Sequence, residues 1–568
     1  MTTTLAPPRP ADHTTVPAPA PSPQPEQPHA RPASPQVHPA SRQVHSAAPQ
    51  VRPASPQVRP ASPNRWATLA VLCLSLLVIV VDTTIVNVAL PTLARQLHAA
   101  TSGLQWIVDG YTLAFASLLL LAGALADRFG RHRALAAGLA AFAAAALAAA
   151  MTRTTGELIA ARAAMGVAAA FIMPATLSIL TGVFTDRAER AKAIGLWAAV
   201  SGLGVAIGPV AGGWLLAHFS WDSIFLVNLP IAGAALLAGR WLVPASRAPI
   251  ARRLDLAGAA LSVTAFAALT YTLIQAPADG WTSAATIARA ATAAGLLAAF
   301  AAWEARSSHP MLPLVLFRDR AFAGAAAAIM LLFFALTGGV FLLTQIYQFV
   351  LGYSPLAAGL RTLPSAAMLA AASPAGARIA RRFGTRVPVV TGLALMTGGL
   401  ALFATATAGS TYGHYVTAMI ILSAGMGLAM APATESVMHR LPPALAGVGS
   451  AVNDATRNLG SVLGVAVVGS VAASAYASHL GAFHAAGPAA TAAARQSLGA
   501  AAAIARQAGG PHGAALYHTA ATAFVTGADR GVLVAAAATL TGMILAACAL
   551  RGEAAAPAHA IEGRTATS

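Results

Sequence analysis

Long apolar runs recur along the chain between Trp66 and Leu550, and short polar segments holding most of the charges separate them. A run of about twenty residues crosses the ~30 Å hydrocarbon core of a bilayer as one helix. The pattern predicts an all-α polytopic membrane protein, with Pro91 at the outer end of its first span. Breakers and charge clusters delimit about fourteen spans, near 66–89, 106–126, 133–152, 157–183, 192–217, 222–242, 255–276, 283–303, 322–350, 356–380, 387–408, 412–437, 445–475 and 528–550.

Cations collect in the loops that follow even-numbered spans. They include Arg128, Arg131 and Arg133; Arg187, Arg190 and Lys192; Arg247, Arg252 and Arg253; Arg306, Arg318 and Arg320; and Arg378, Arg381, Arg382 and Arg386. Loops after odd-numbered spans hold few cationic residues, namely Arg95, Arg153, Arg495 and Arg506. Positive residues stay on the cytoplasmic side, so both termini are predicted to be cytoplasmic. Segment 476–526 then becomes an external, Ala-rich loop with partial helical character.

Composition supports a membrane protein and argues against other classes. The 568 residues are 57% hydrophobic and 9% charged, with mean hydropathy +0.66, whereas soluble domains are about 25% charged. The net charge of +17 lies in interspan loops, so we expect no nucleic-acid partner. Cys73 and Cys548 fall inside predicted spans and imply no disulfide framework. Residues 1–64 form a Pro/Ala-rich repeat that predicts a disordered tail.

The segment "GALADRFGRHRAL" joins the second and third spans and contains Gly123, Asp127, Arg128, Gly130 and Arg131. Gly123 is predicted to let two helices approach closely. Asp127 is expected to pair with an arginine or to cap the next helix. The order of residues favours a charged latch between helical bundles over a simple orientation loop. A related turn, "GARIARRFGTR", follows the tenth span and indicates an internal repeat.

The fifth span contains "SGLGVAIGPVAGGW", a glycine-rich face interrupted by a proline. It predicts tight helix packing and a bend, and it identifies no ligand. The residues of this motif are Gly204, Gly208, Pro209, Gly212 and Gly213.

Four acids in or near spans are candidates for binding protons, because an intramembrane carboxylate is costly and is usually functional. Asp82 ranks first, since no basic residue lies within one helical turn along the chain. Asp109 ranks second, near the mouth of its span. Asp454 is third because Arg457, three residues on, can neutralise it. Glu435 is fourth, at the cytoplasmic boundary.

Arg162 lies inside the fourth span, where an arginine costs at least about 2.5–3.5 kcal/mol to insert. It is expected to face a cavity and a partner. Snorkelling to the nearby interface is the alternative.

Five segments together resemble the major facilitator superfamily, specifically its fourteen-span drug:proton antiporter branch of EmrB/QacA type. They are "DTTIVNVALP", "QWIVDGYTLAFA", the turn after the second span, the Gly-Pro-x-x-Gly-Gly of the fifth, and Met430 to Ser470. The resemblance implies alternating access driven by proton influx. It also implies that Asp82, Asp109 and Asp454 couple protons or hold the drug cation, with Arg162 and Arg457 as proton-relay partners.

The resemblance further implies a division of the chain into bundles. Residues 65–243 and 306–552 would form two six-helix bundles, with two inserted helices in 244–305. Residues 1–64 and 553–568 would be cytoplasmic tails.

No ATP-binding loop is present, because the single lysine, Lys192, follows Ala191 rather than a glycine. No metal-ligand cluster, nucleophile elbow or cofactor fingerprint stands out, so we expect neither an enzyme nor a cofactor. Transport work must then come from an ion gradient or a separate subunit.

A roomy apolar cavity is expected to recognise substrate, with aromatic faces that attract cations. Its predicted lining is Trp106, Tyr111, Phe115, Phe334, Phe341, Gln345, Tyr347 and Met426. The leading hypothesis is a monomeric exporter of lipophilic, cationic drugs or toxic natural products in a bacterial plasma membrane, conferring antibiotic resistance. A dedicated exporter of a metabolite or siderophore, or a membrane sensor or scaffold, is the alternative.

Overall fold

The computed structural model describes residues 64–245, 255–307, 310, 314–439, 446–480 and 488–550. The predicted tails at 1–63 and 551–568 and the basic segment 246–254 lie outside these residues. Eighteen α-helices are described: α1 Arg65–Gln96, α2 Thr101–Phe129, α3 Arg131–Ala150, α4 Thr155–Val183, α5 Arg187–His218, α6 Ser223–Leu226, α7 Asn228–Leu242, α8 Leu256–Asp279, α9 Ala284–Arg306, α10 Arg320–Gln345, α11 Pro355–Leu360, α12 Leu363–Phe383, α13 Arg386–Phe403, α14 Tyr412–His439, α15 Ala446–His479, α16 Pro488–Gln496, α17 Leu498–Ala508 and α18 Gly510–Ala549.

The all-α membrane architecture is confirmed over the described residues, which contain no strand. Twelve helices are long and apolar enough to cross a membrane, and a thirteenth span results if α2, bent by 53°, is counted as one. The helix α12 occupies the place of the predicted tenth span but is less apolar, because it is rich in small residues and ends in three arginines. The count of fourteen therefore stays a prediction.

Two predicted helix ends are wrong. Helix α1 continues through Pro91 to Gln96, since a proline removes only one backbone donor and packed neighbours tolerate it inside a membrane helix. Helix α18 begins at Gly510, well before residue 528. The partly helical character of segment 476–526 is confirmed by α16 and α17.

Helices α1–α7 pack together as a first bundle and α10, α12–α15 and α18 as a second, while α11 lies against α5 of the first. In the first, α1 lies against α5 and α2 against α4; in the second, α10 lies against α15 and α14 against α12 and α13. The close packing predicted for the fifth span is confirmed, because a Cβ at Gly208 would overlap Thr84 of α1 and one at Gly212 would lie 2.5 Å from Ile85. Helix α2 also contacts α4 at Gly123, but less tightly, since a Cβ there would meet Pro174 at an ordinary 3.6 Å.

Both Phe-Gly turns contain a glycine with positive φ, which is consistent with the predicted repeat. Gly130 joins α2 to α3 with φ 110°, and Gly384 joins α12 to α13 with φ 79°. Both values lie in a region that favours glycine. Each turn is a sharp break between two consecutive helices.

The two bundles are joined at one end, here called the closed end, which the charge pattern predicts to be external. Gln105 of α2 donates to the Val465 and Ala466 carbonyls of α15, each at 3.1 Å. Gln348, just after α10, donates to the Val88 carbonyl at 2.7 Å.

Two further parts of the chain contact both bundles: a pair of short helices at the closed end and the inserted helices at the side. The cap, defined as α16 and α17, reaches the first bundle where Thr101 donates to the Gln496 carbonyl at 2.9 Å. The inserted hairpin, α8 and α9, contacts α2 of the first bundle and α15 of the second. The hairpin therefore covers one lateral junction between the bundles.

Candidate functional site

Three buried side chains from three helices form an ionic cluster in the first bundle. Asp82 of α1 is fully buried and accepts from the Arg162 guanidinium of α4 at 2.5 Å. Its other carboxylate oxygen accepts from the Asn228 side chain of α7 at 3.0 Å. Both oxygens of this carboxylate therefore have a donor, which offsets the cost of burying its charge.

Arg162 is held on its second side by α2. Its Nε donates to the Ile107 carbonyl at 3.2 Å, and its guanidinium lies 4.3 Å from the centre of the Tyr111 ring. The side chain is only 2% exposed, so it faces an internal partner, as predicted, and does not snorkel. Asp82 lacks a basic neighbour only along the sequence, and the fold supplies one from α4.

Asp109 of α2 is the buried acid without a partner. Its side chain is fully buried, and neither carboxylate oxygen has a hydrogen-bond partner among the described residues. An ionised carboxylate in such surroundings is costly. Asp109 is therefore suited to holding a proton or an incoming cation.

The other two candidate acids have different surroundings. Asp454 pairs with Arg457 at 3.6 Å on the same helix, as the spacing predicts. Arg457 also lies 4.7 Å from the centre of the Phe333 ring of α10. Glu435 is exposed on α14. These positions leave Asp109 as the member of the four that is both fully buried and without a partner among the described residues.

The turn between α2 and α3 contains an ion pair within the first bundle. Asp127 accepts from Arg131 at 2.8 Å, and Arg131 also donates to the Ser178 carbonyl of α4 at 3.2 Å. The carboxylate of Asp127 does not cap α3, whose N-cap is Gly130 without a side-chain bond. Arg128 lies over the Phe129 ring at 5.7 Å. Pairing with an arginine is confirmed, and a latch between bundles stays a prediction.

The residues predicted to line a substrate cavity are not gathered around the described cavity but have separate packing partners. Tyr111 and Phe115 stack on α2 at 6.2 Å, beside Arg162. Gln345 of α10 donates within its own helix to Phe341 at 3.1 Å. Others are placed as follows: Trp106 beside Tyr271 of α8 at 6.2 Å, Tyr347 beside Tyr353 and Tyr412, and Phe334 and Met426 buried in the second bundle.

A cavity of about 290 Å³, here called the lateral chamber, lies between α2, α8, α9, α10 and α15. None of the residues predicted for the substrate cavity lines it. The sequence reasoning missed these positions because small alanines and serines line much of the chamber, and single small residues give no distinctive signal.

Two polar residues of the membrane helices were also missed. Asn228 binds Asp82, and its polar amide inside an apolar run was the available signal. Asp529 of α18 has one buried carboxylate oxygen without a partner among the described residues. The last predicted span begins at residue 528, so the sequence places Asp529 at a boundary rather than inside the membrane.

A membrane fold of two helical bundles joined at one end, with buried charges inside the first bundle, is typical of secondary transporters. The family model of the Major Facilitator Superfamily matches residues 72–465. Because this match covers more than half of the 568 residues, the chain belongs to the Major Facilitator Superfamily. The membership that the motifs predict is confirmed.

Relatives of known name are similar over most of the chain. The multidrug efflux pump LfrA of Mycolicibacterium smegmatis is 36% identical over 489 residues, or 86% of this chain and 95% of the relative. The tetracenomycin C resistance and export protein of Streptomyces glaucescens is 33% identical over 410 residues, or 72% of this chain and 76% of the relative. These names are those expected of the drug-exporting branch.

A solved structure supports the fold. The crystal structure of a bacterial homologue of the human lysosomal transporter Spinster, inward-facing and occupied, aligns with TM-score 0.62. It covers 88% of this chain and 100% of that chain at 15% identity. The likeness concerns the fold alone.

Proposed function

We propose that this protein exports lipophilic, cationic drugs or toxic natural products across the plasma membrane, in exchange for protons, as a monomer without enzymatic activity. The names of LfrA and of the tetracenomycin C export protein support drug export. The buried, unpaired carboxylate of Asp109 is the observation that carries proton exchange. It stands on α2, which contacts α15 of the opposite bundle.

Proton and drug cation compete for the same carboxylate in this mechanism. When Asp109 is protonated its buried side chain is neutral; when a cation arrives, the proton leaves and the two opposite charges compensate each other. One charge moving through 100 mV gains about 2.3 kcal/mol, and a tenfold concentration ratio costs about 1.4 kcal/mol. One or two protons are therefore sufficient for a substantial drug gradient.

The Asp82–Arg162 pair holds the part of α2 that carries Asp109. Arg162 contacts Ile107 and Tyr111, each two residues from Asp109. A shift of α2 therefore changes the contacts of Arg162, and a displacement of Arg162 changes the position of α2. We assign Asp82 and Arg162 to positioning and proton relay, and Asp109 to binding the proton and the cation.

Alternating access requires the closed end to open and the opposite end to close. The hydrogen bonds from Gln105 and Gln348 join the bundles at the closed end. Their carbonyl acceptors are main-chain groups, so the bonds break without leaving a buried charge. We propose that this end opens outward to release substrate.

The experiment compares Asp109→Asn with the exposed Glu435→Gln as a matched control. Asp109→Asn keeps the shape of the side chain but removes its exchangeable proton and its charge. We expect ethidium accumulation in energised cells to rise to the level of cells without the transporter, and ethidium-induced proton release from the purified protein to disappear. Glu435→Gln should behave as wild type in both assays. Unimpaired efflux by a well-expressed Asp109→Asn variant would exclude this site.

A transporter dedicated to one compound is the second candidate, favoured by the similarity to the tetracenomycin C export protein. Everted vesicles separate the two candidates. A multidrug exporter should transport several unrelated lipophilic cations with similar efficiency, whereas a dedicated exporter should transport one chemical scaffold and ignore the rest.

A further inference from the structure

The lateral chamber is apolar and lies at the junction of all three parts of the fold. Leu113 comes from the first bundle, Phe266 and Phe300 from the inserted hairpin, and Leu459 from the second bundle. No charged side chain is among the described residues that line it. An apolar lining of this kind favours apolar occupants over ordered water.

The few hydroxyl groups of the lining do not favour water. Ser262 donates to the Ala259 carbonyl at 2.9 Å and Thr456 to the Val452 carbonyl at 2.7 Å, both within their own helices. The hydroxyl oxygen of Ser117 is buried without a partner in the described structure. One free hydroxyl cannot hold a water cluster, but it can bind one polar atom of a ligand.

The chamber lies one helical turn along α2 from the unpaired acid, which does not itself line it. Asp109, Leu113 and Ala116 are spaced i, i+4 and i+7 on one face of this helix, and the last two line the chamber. Leu113 therefore lies one turn, about 6 Å, from Asp109. On the far side of Asp109, Gln105 joins α2 to α15.

An apolar chamber with an unpaired carboxylate one helical turn away is suited to select its occupant by charge. A phospholipid tail fits the apolar part, but its phosphate would be repelled by Asp109 and would remain at the membrane surface. A lipophilic cation satisfies both parts, because its charge compensates the carboxylate and its apolar body fills the cavity.

We propose that the lateral chamber holds the apolar body of a lipophilic cation whose charged group binds Asp109, and that the inserted hairpin forms the chamber's outer wall. The inference rests on the proposed function and gives the two inserted helices a part in substrate binding. Substrate size is then limited by the chamber, at about 290 Å³.

The test measures binding of n-alkyltrimethylammonium ions, from hexyl to decyl, to the full-length protein in lipid nanodiscs, with free ligand determined by dialysis. Each methylene transferred from water into the chamber should improve the affinity of wild type about fourfold. Ser262→Phe, which fills the chamber from α8, should reduce this gain to less than twofold per methylene. Ala260→Phe, on the exposed face of α8, is the matched control and should keep the wild-type gain.

The charge and the chamber are tested separately. Asp109→Asn should weaken every member of the series by at least tenfold and leave the gain per methylene unchanged. If wild type binds no member of the series and releases no protons, the proposed function fails. If wild type binds with rising affinity and Ser262→Phe shows the same rise, the chamber assignment alone is overturned.

Two controls keep the result decisive. Ala116→Leu fills the chamber from α2 and replaces Ser262→Phe if that variant unfolds in a thermal-melting assay. Native mass spectrometry detects a bound phospholipid. A lipid that is lost in Ser262→Phe while alkylammonium binding is unchanged would overturn the inference in favour of a lipid site.

Discussion

The Arg162 side chain links three helices. It stands on α4 and binds Asp82 of α1 and Ile107 and Tyr111 of α2. A buried ion pair adds little net stability, but removing one partner leaves the other charge uncompensated. The arginine therefore makes the alignment of α1, α2 and α4 dependent on charge. Asp109 has no such partner among the described residues, and it is the acid to which we assign proton exchange.

Removing one member of the ion pair should cost more than removing both. We expect Asp82→Ala to destabilise the protein by about 3–5 kcal/mol, because Arg162 stays buried and unpaired. The double variant Asp82→Asn with Arg162→Gln should recover most of this loss but should not recover transport. Thermal melting followed by tryptophan fluorescence measures the first effect and ethidium efflux the second. Equal melting temperatures for the single and double variants would contradict the assignment.

At the scale of helices, close contact between α1 and α5 depends on glycines. A Cβ at Gly208 would overlap the Thr84 side chain, which donates to Val80 and Val81 in its own helix. The contact brings the glycine- and proline-containing segment of α5 against the helix that carries Asp82. A larger residue at position 208 must therefore push α1 and α5 apart.

Gly208→Val should lower transport and stability, whereas Gly202→Ala in the same helix should not, since nothing lies within 4 Å of a Cβ at Gly202. Overpacking costs about 1–3 kcal/mol. Melting temperature and efflux are measured for both variants. Wild-type behaviour of Gly208→Val would show that α5 moves away from α1 without cost.

Much of the helix pattern follows from the sequence, because apolar runs and basic loops act locally. The inserted hairpin shows this, since the predicted spans 255–276 and 283–303 become α8 Leu256–Asp279 and α9 Ala284–Arg306. The partner of Asp82 is not local, because Arg162 lies 80 residues away. The lateral chamber could not be predicted either, as it is defined by the spacing between helices rather than by distinctive residues.

At the scale of the whole molecule, the cap links the closed end to the second bundle. Tyr476 near the end of α15 donates to the Ala494 carbonyl of α16 at 2.8 Å. On the other side, Gly499 of α17 lies against Ala94 of α1 and Phe349. The cap therefore bridges the two bundles where we propose that substrate leaves. Opening of that end must separate α17 from α1.

A disulfide between α1 and α17 should hold the closed end shut. A Cβ at Gly499 would lie 3.3 Å from that of Ala94, close to the roughly 3.5–4.5 Å of disulfides. In a background with Cys73 and Cys548 replaced by serine, we expect the pair Ala94→Cys and Gly499→Cys to lose ethidium efflux on oxidation and to recover it on reduction. Each single cysteine variant should transport under both conditions. Undiminished efflux by the fully oxidised pair would mean that substrate leaves without separating the cap from α1.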